Sequence, residues 1–162
     1  MFQTHFNLQE RAKKIEIERE FAAPLDRVWQ AWTNSSQLDK WWAPKPWKTV
    51  TKAFEFKAGG RWLYYMGGPK GEKAWSLAEY ESIKPFKSFS GVDSFCDENG
   101  VKDPNAPQMH WLVEFQDLGK TTKVKSTITF ATLADLKKTL EMGFKEGFTM
   151  AQTNLDALLA EK

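Results

Sequence analysis

His110 and Glu114 stand four residues apart in the alternating stretch "MHWLVEFQDL", which places both on one face of a strand. A histidine and a carboxylate held together can move a proton as general base and acid. Trp111, Val113 and Phe115 occupy the opposite parity, however, so the His–Glu face is expected to look into solvent. Cys96, the single cysteine, would need a base to activate it and an acid to orient that base before it could act as a nucleophile. The chain offers only His110 across a polar loop, without a recognised local signature. Two histidines and one cysteine are too few for a zinc site. "GGPKGEK" lacks the Lys-Ser or Lys-Thr ending of a phosphate loop and joins two strands. In "DENGVKD", Val101 interrupts the alternate oxygen ligands that a calcium loop requires. No catalytic constellation emerges, and no cofactor or metal is expected.

Binding chemistry is better represented. Aromatic residues make up 14% of the chain and include 8 Trp. "KWWAPKPW" sets Trp41, Trp42 and Trp47 around two prolines, where no regular helix can continue. Indole is large and apolar but carries a donor, which suits a buried wall with a polar contact. Three readings are open: a core plug, the wall of a ligand pocket, or a patch gripped by a partner.

The elements that position these residues can be read from periodicity. Residues 1–13 read as a flexible tail containing His5, and residues 14–162 as a single domain. "KIEIEREF" alternates strictly, with Ile15, Ile17, Arg19 and Phe21 on one face and Glu16, Glu18 and Glu20 on the other. Pro24 opens a short helix whose stripe is Leu25, Val28, Trp29 and Trp32; Ser35 or Ser36 can cap a second through Leu38. "KWWAPKPW" is the exit from that second helix, with Trp42 expected to point inward and Trp47 to pack near Trp29 or Trp32. Six further strands follow in turn-linked antiparallel order: "WKTVTKAFEF", "RWLYYM", "KAWSLAEYESI", "KSFSGVDSF", "MHWLVEFQDL" and "TKVKSTITF". In the fourth strand of the chain Trp75 and Leu77 share one face and Tyr80 the other, which predicts an irregularity near Ala78. Thr132 followed by Asp135 begins a long helix, whose stripe runs from Leu133 through Phe144 and Phe148 to Leu158.

Lys plus Arg is 23 against 21 Asp plus Glu, without the clustered basic face that nucleic acid requires. No uncharged apolar run approaches the ~20 residues of a membrane span, and the N-terminus has no secretory core. With one cysteine, a cytoplasmic location fits.

This order of elements predicts an α+β helix-grip fold: a seven-stranded curved antiparallel sheet with two short helices, wrapped around a long C-terminal helix. "REFAAPLDRVWQAWTN", "LDKWWAP", "FKAGGRWLYYM" and "LEMGFKEGFTMAQTNLDALLA", in that order, resemble the activator of heat shock protein 90 ATPase homologue family. That family belongs to the START-like (SRPBCC) superfamily, and the resemblance runs from about Lys14 to the C-terminus. It implies the helix-grip fold, and either a co-chaperone role or the binding of small hydrophobic molecules, which wider relatives perform. Eukaryotic co-chaperones of the family carry a separate N-terminal domain that is not expected here, since 13 residues precede the first strand. Non-catalytic binding of a small hydrophobic or aromatic ligand between sheet and helix is therefore the leading expectation. A protein-interaction module acting on a chaperone or other protein partner, in stress response, is the alternative, and a cyclase- or hydratase-like enzyme a third.

The candidate cavity lining is Trp42, Trp62, Tyr64, Met66, Phe95, Trp111, Phe144 and Phe148. The same residue types also build plain cores, so both readings stand. Gly143 and Gly147 lie within the long helical stripe and imply either close approach to the sheet or space for a ligand. Arg19, on the apolar parity, is the polar candidate. It either binds a ligand carboxylate or lays its stem on the core with its fork in water or on Glu146, the commoner fate of such an arginine.

Overall fold

A computed structural model describes residues 2–161. The sheet begins one strand earlier than periodicity predicted. β1 (His5–Gln9) pairs antiparallel with β2 (Lys14–Phe21), so part of the expected flexible tail is an edge strand and the sheet has eight strands, not seven. The linking turn carries no glycine. Lys13 adopts φ 55° there, and its N–H reaches the Glu10 carbonyl at 3.0 Å. Leu8 on β1 is exposed, so the strand shows little burial to betray it.

β2 buries Ile15, Ile17, Arg19 and Phe21 and turns its glutamates outward. Pro24 precedes α1 (Leu25–Thr33), which buries Val28, Trp29 and Trp32. α2 (Ser35–Trp41) is capped by Asn34 rather than by a serine: the Asn34 side chain accepts the Ser36 N–H at 3.0 Å. The meander then runs β3 (Lys48–Phe54), β4 (Arg61–Gly67), β5 (Lys73–Lys84), β6 (Ser88–Phe95), β7 (Gln108–Asp117) and β8 (Thr122–Phe130). β8 returns to pair with β2, giving the order β1-β2-β8-β7-β6-β5-β4-β3.

The predicted long helix is two helices. Thr132 caps α3 (Leu133–Glu141) by accepting the Asp135 N–H at 3.0 Å, as the sequence implied. Gly143 then takes φ 86° and ends the run before α4 (Phe144–Ala160). An apolar stripe spaced at three and four does not distinguish one helix from two; a glycine in the left-handed region does. α4 is the gripped helix. It buries Phe148, Ala151 and Leu155 against the inner face of the sheet and forms with it the helix-grip core. Full burial of side chains the size of Phe148 and Leu155 contributes roughly 1.5–3 kcal/mol each.

The irregularity expected near Ala78 lies further on, where the β5–β6 register shifts between Tyr80 and Ser82. Ala78 and Tyr80 both face the core, while Leu77 is buried on the outer face. Leu77 pairs with Leu63 and Ser94 in one row, all three nearly inaccessible. The loop after β6 returns over this row, so that a side chain at Gly100 would touch Leu63. Apolar residues on both faces of β5 obscured the parity.

Candidate functional site

The aromatic segment after α2 is held from three sides. Trp41 is fully buried, packs 4.8 Å from Trp32, and donates its indole N–H to the Ala31 carbonyl at 2.8 Å. From α4, the buried Asn154 amide donates to the Ala43 carbonyl at 3.0 Å, which fixes the loop against the gripped helix. Trp42 thereby turns its ring inward between the sheet and α4. It donates Nε1–H to the Tyr64 hydroxyl oxygen at 2.9 Å and sits edge-on to Trp62 and Phe148. Trp47 goes elsewhere than expected. It does not pack on Trp29 or Trp32 but lines a surface groove with Asn154, Ala157 and Leu158. Trp41, one residue ahead of Trp42, takes the place beside Trp32.

Trp42 forms one wall of a cavity of about 240 Å³. Tyr64 and Met66 of β4, Ala74 and Ser76 of β5, and Phe95 of β6 form its floor. Met109 and Trp111 of β7 bound one side, and Phe144, Gly147 and Phe148 of α4 cover it. The break between α3 and α4 lies at the rim, through Met142 and Gly143. Small residues leave the space: Ala74 and Ser76 stand in the floor between larger rings, and Gly147 presents no side chain. A Cβ at Gly147 would lie 3.8 Å from Pro44, an ordinary contact, so close approach does not demand a glycine there.

The candidate residues are thus largely assembled. Trp42, Tyr64, Met66, Phe95, Trp111, Phe144 and Phe148 line this cavity. Trp62 does not: it stacks behind Tyr64 with ring centroids 3.9 Å apart and borders a separate gap of about 30 Å³. Arg19 is not in the lining either. It is buried between β2 and α4, where it pairs with Asp156 and donates to Thr4 Oγ1 at 2.6 Å. Its fork therefore reaches neither water nor Glu146, and no ligand carboxylate can meet it in the cavity. His110 lies on the outer face and bonds Glu81 at 2.8 Å. Cys96 lies just beyond β6, its thiol pushed up by burial and then by the charge of Asp97, which keeps it from forming a thiolate.

One functional group was missed. Asp93 lines the cavity and also the smaller gap behind it. Among the described residues its carboxyl has neither a hydrogen-bond nor an ion-pair partner, and burial pushes it up to about 7. The signal was available: Phe95 was read as inward-facing, and Asp93 shares its parity on β6. Around it the phenols stay neutral. Burial first, and the charge of Asp93 second, raise both Tyr64 and Tyr80 above the ordinary phenol range. The buried indole N–H of Trp111 has no acceptor among the described residues. Among the described residues the cavity is therefore an aromatic and thioether box with a single carboxyl and no lysine, arginine or histidine in its lining.

No curated protein matches the chain. Solved structures do. A protein from Arthrobacter aurescens is 32% identical over 98% of this chain and 92% of its own, with a TM-score of 0.92. Protein Ms6760 from Mycobacterium smegmatis is 31% identical over 98% of both chains, with a TM-score of 0.90. A protein from Staphylococcus epidermidis is 27% identical over 95% and 92%, with a TM-score of 0.83. Residues 22–160 match the profile of the "Activator of Hsp90 ATPase homolog 1-like protein" family. That match spans both short helices, the cavity floor and the gripping helix, and the chain belongs to this family.

Proposed function

We propose that the protein binds a small, largely apolar molecule in the cavity between the inner face of the sheet and α4, without transforming it. The observation that carries this reading is the cavity itself: about 240 Å³, walled by six aromatic residues and three methionines, with few polar groups. Small-molecule sites combine such apolar walls with a few placed polar contacts. Beside Asp93 the described lining offers no acid–base pair or activated nucleophile. The only other ionisable group in the lining is Tyr64, whose phenol is held neutral.

The test is titration with N-phenyl-1-naphthylamine, an uncharged fluorescent aromatic, against the protein and Ser76→Phe, which fills the floor. Saturable binding that Ser76→Phe abolishes, with its circular dichroism unchanged, is the expected result. Equal binding by folded Ser76→Phe would place the probe elsewhere and refute the reading. Family membership favours a second reading, stimulation of a heat shock protein 90 ATPase. Its assay is chaperone ATP turnover with and without the protein, and an unchanged rate would count against it.

A further inference from the structure

Resting on the cavity-binding reading, we infer that the ligand carries a protonated amine, which pairs with Asp93 while its apolar body fills the aromatic box. Three observations lead there. Asp93 is the only carboxylate among the lining residues, and nothing in the described chain neutralises it. Asp93 is half-buried in this wall, and a carboxyl there for structure alone would be expected to have a hydrogen-bond donor or a cation, because withdrawing an unpartnered charge from water is costly. Arg19, the nearest thing to an internal cation in the sequence pattern, is committed on β2 to Asp156 of α4.

The surroundings also suit a cation. Trp42, Trp111, Phe144 and Phe148 surround the cavity with ring centroids 5.5–6.2 Å apart. Aromatic faces attract an ammonium group, more strongly when water is excluded. Among the described residues no cationic side chain lines the cavity, so an ammonium meets no repulsion from them, whereas a fatty acid or other carboxylate would find no partner among them and would face Asp93. A merely neutral acceptor on the ligand would be served as well by asparagine or serine. An aspartate that must be ionised at some cost is explained by a ligand that brings the opposite charge.

The groups that feel Asp93 allow a pH test. Tyr64 on β4 and Tyr80 on β5 interact with its charge and are raised by burial first; Cys96, beyond the end of β6, is raised by burial and Asp97 and lowered by Arg61. The lining residues of β7, α3 and α4, and those of the Trp42 loop, contribute no ionisable group. Asp93 is therefore the group in the cavity that changes charge near neutrality.

The probes are three molecules of one shape: 2-naphthylmethylamine, 2-naphthalenemethanol and 2-naphthoate, titrated by quenching of tryptophan fluorescence at pH 5.5 and pH 8. At pH 8 the amine is expected to bind about tenfold or more tighter than the alcohol, with naphthoate weakest. Its advantage should shrink at pH 5.5, where Asp93 is protonated, and vanish in Asp93→Asn while the alcohol still binds. The wild-type pH comparison gives the answer even if Asp93→Asn fails to fold. An alcohol that binds as tightly as the amine at pH 8, or better as pH falls, overturns the amine assignment and leaves the cavity reading intact. That outcome would point to an acceptor oxygen served by protonated Asp93 and the Trp111 N–H. An amine advantage that persists in folded Asp93→Asn also overturns it. If none of the three binds, the cavity reading itself fails, and the inference with it.

Discussion

Asp93 should make this protein less stable as pH rises through neutrality, independent of any ligand. In the folded chain its carboxyl titrates at about 7, whereas an unfolded aspartate titrates near 3.8. Between those values the folded state holds a proton that the unfolded state releases. Stability is therefore greatest below the unfolded value, falls as pH rises, and levels off above about 7. At 1.36 kcal/mol per pH unit the ceiling on this loss is about 4 kcal/mol. Water entering the open side of the cavity screens part of it, so we expect about 2–3 kcal/mol. Asparagine has nearly the same shape and no charge. Urea unfolding of wild type and Asp93→Asn at pH 5 and pH 8 isolates the effect, because other titrating groups cancel in the difference. Glu16, for example, is lowered mainly by its hydrogen bond to Lys125 and has the opposite sign, but it is common to both proteins. The variant should gain on wild type between pH 5 and pH 8. Parallel pH profiles for the two would show that Asp93 is either solvated or already paired, and would refute the electrostatic argument.

Four other substitutions test the remaining geometry. Trp42→Ala should weaken naphthyl-probe binding and cost less than the ~3–5 kcal/mol of a fully buried large-to-small change, since one side of the ring already faces a cavity; denaturant melts and probe titration read both. Asp156→Ala leaves Arg19 charged and buried, and should cost roughly 3–5 kcal/mol in denaturant unfolding without changing probe affinity in the folded protein. His110→Ala, on the outer face, should leave binding unchanged in the same titration. Gly91→Ala would bring a Cβ within 2.4 Å of the Glu79 carbonyl oxygen, across the β5–β6 pair, so a destabilisation on the order of 1–3 kcal/mol or more is expected, read as a lowered urea midpoint.

What the sequence disclosed followed from how strongly each face was committed. Trp62, Tyr64 and Met66 share one parity of β4, and Trp111, Val113 and Phe115 one parity of β7; both sets face the core as read, although Leu63, Tyr65 and Leu112 stand on the opposite parity. β5 was harder, because the loop after β6 buries Leu77 from the other side. The split between α3 and α4 was written in Gly143, but an apolar stripe that continues in phase on both sides hides a helix end. β1 was invisible for a different reason: its turn rests on Lys13 in a conformation usually given to glycine, and half of its apolar content stays exposed.

The miss at Asp93 has the most consequence, since it came from treating polarity as evidence of solvent. "SGVDSF" places Gly91, Asp93 and Phe95 on one face, and only the aromatic member was counted as inward. Gly91 pairs with Tyr80 and Trp111, and Asp93 with Ala78 and Met109, so the strand partners already fixed that face as the interior. A carboxylate on a face otherwise committed to the core is the sequence-level mark of a group kept for something other than packing. Arg19 carried the same mark, but its charge is paired within the chain by Asp156, and Thr4 accepts a further hydrogen bond from its fork. Parity therefore finds buried polar groups of both kinds, and the partner distinguishes them: Arg19 has one within the chain, and Asp93 has none among the described residues.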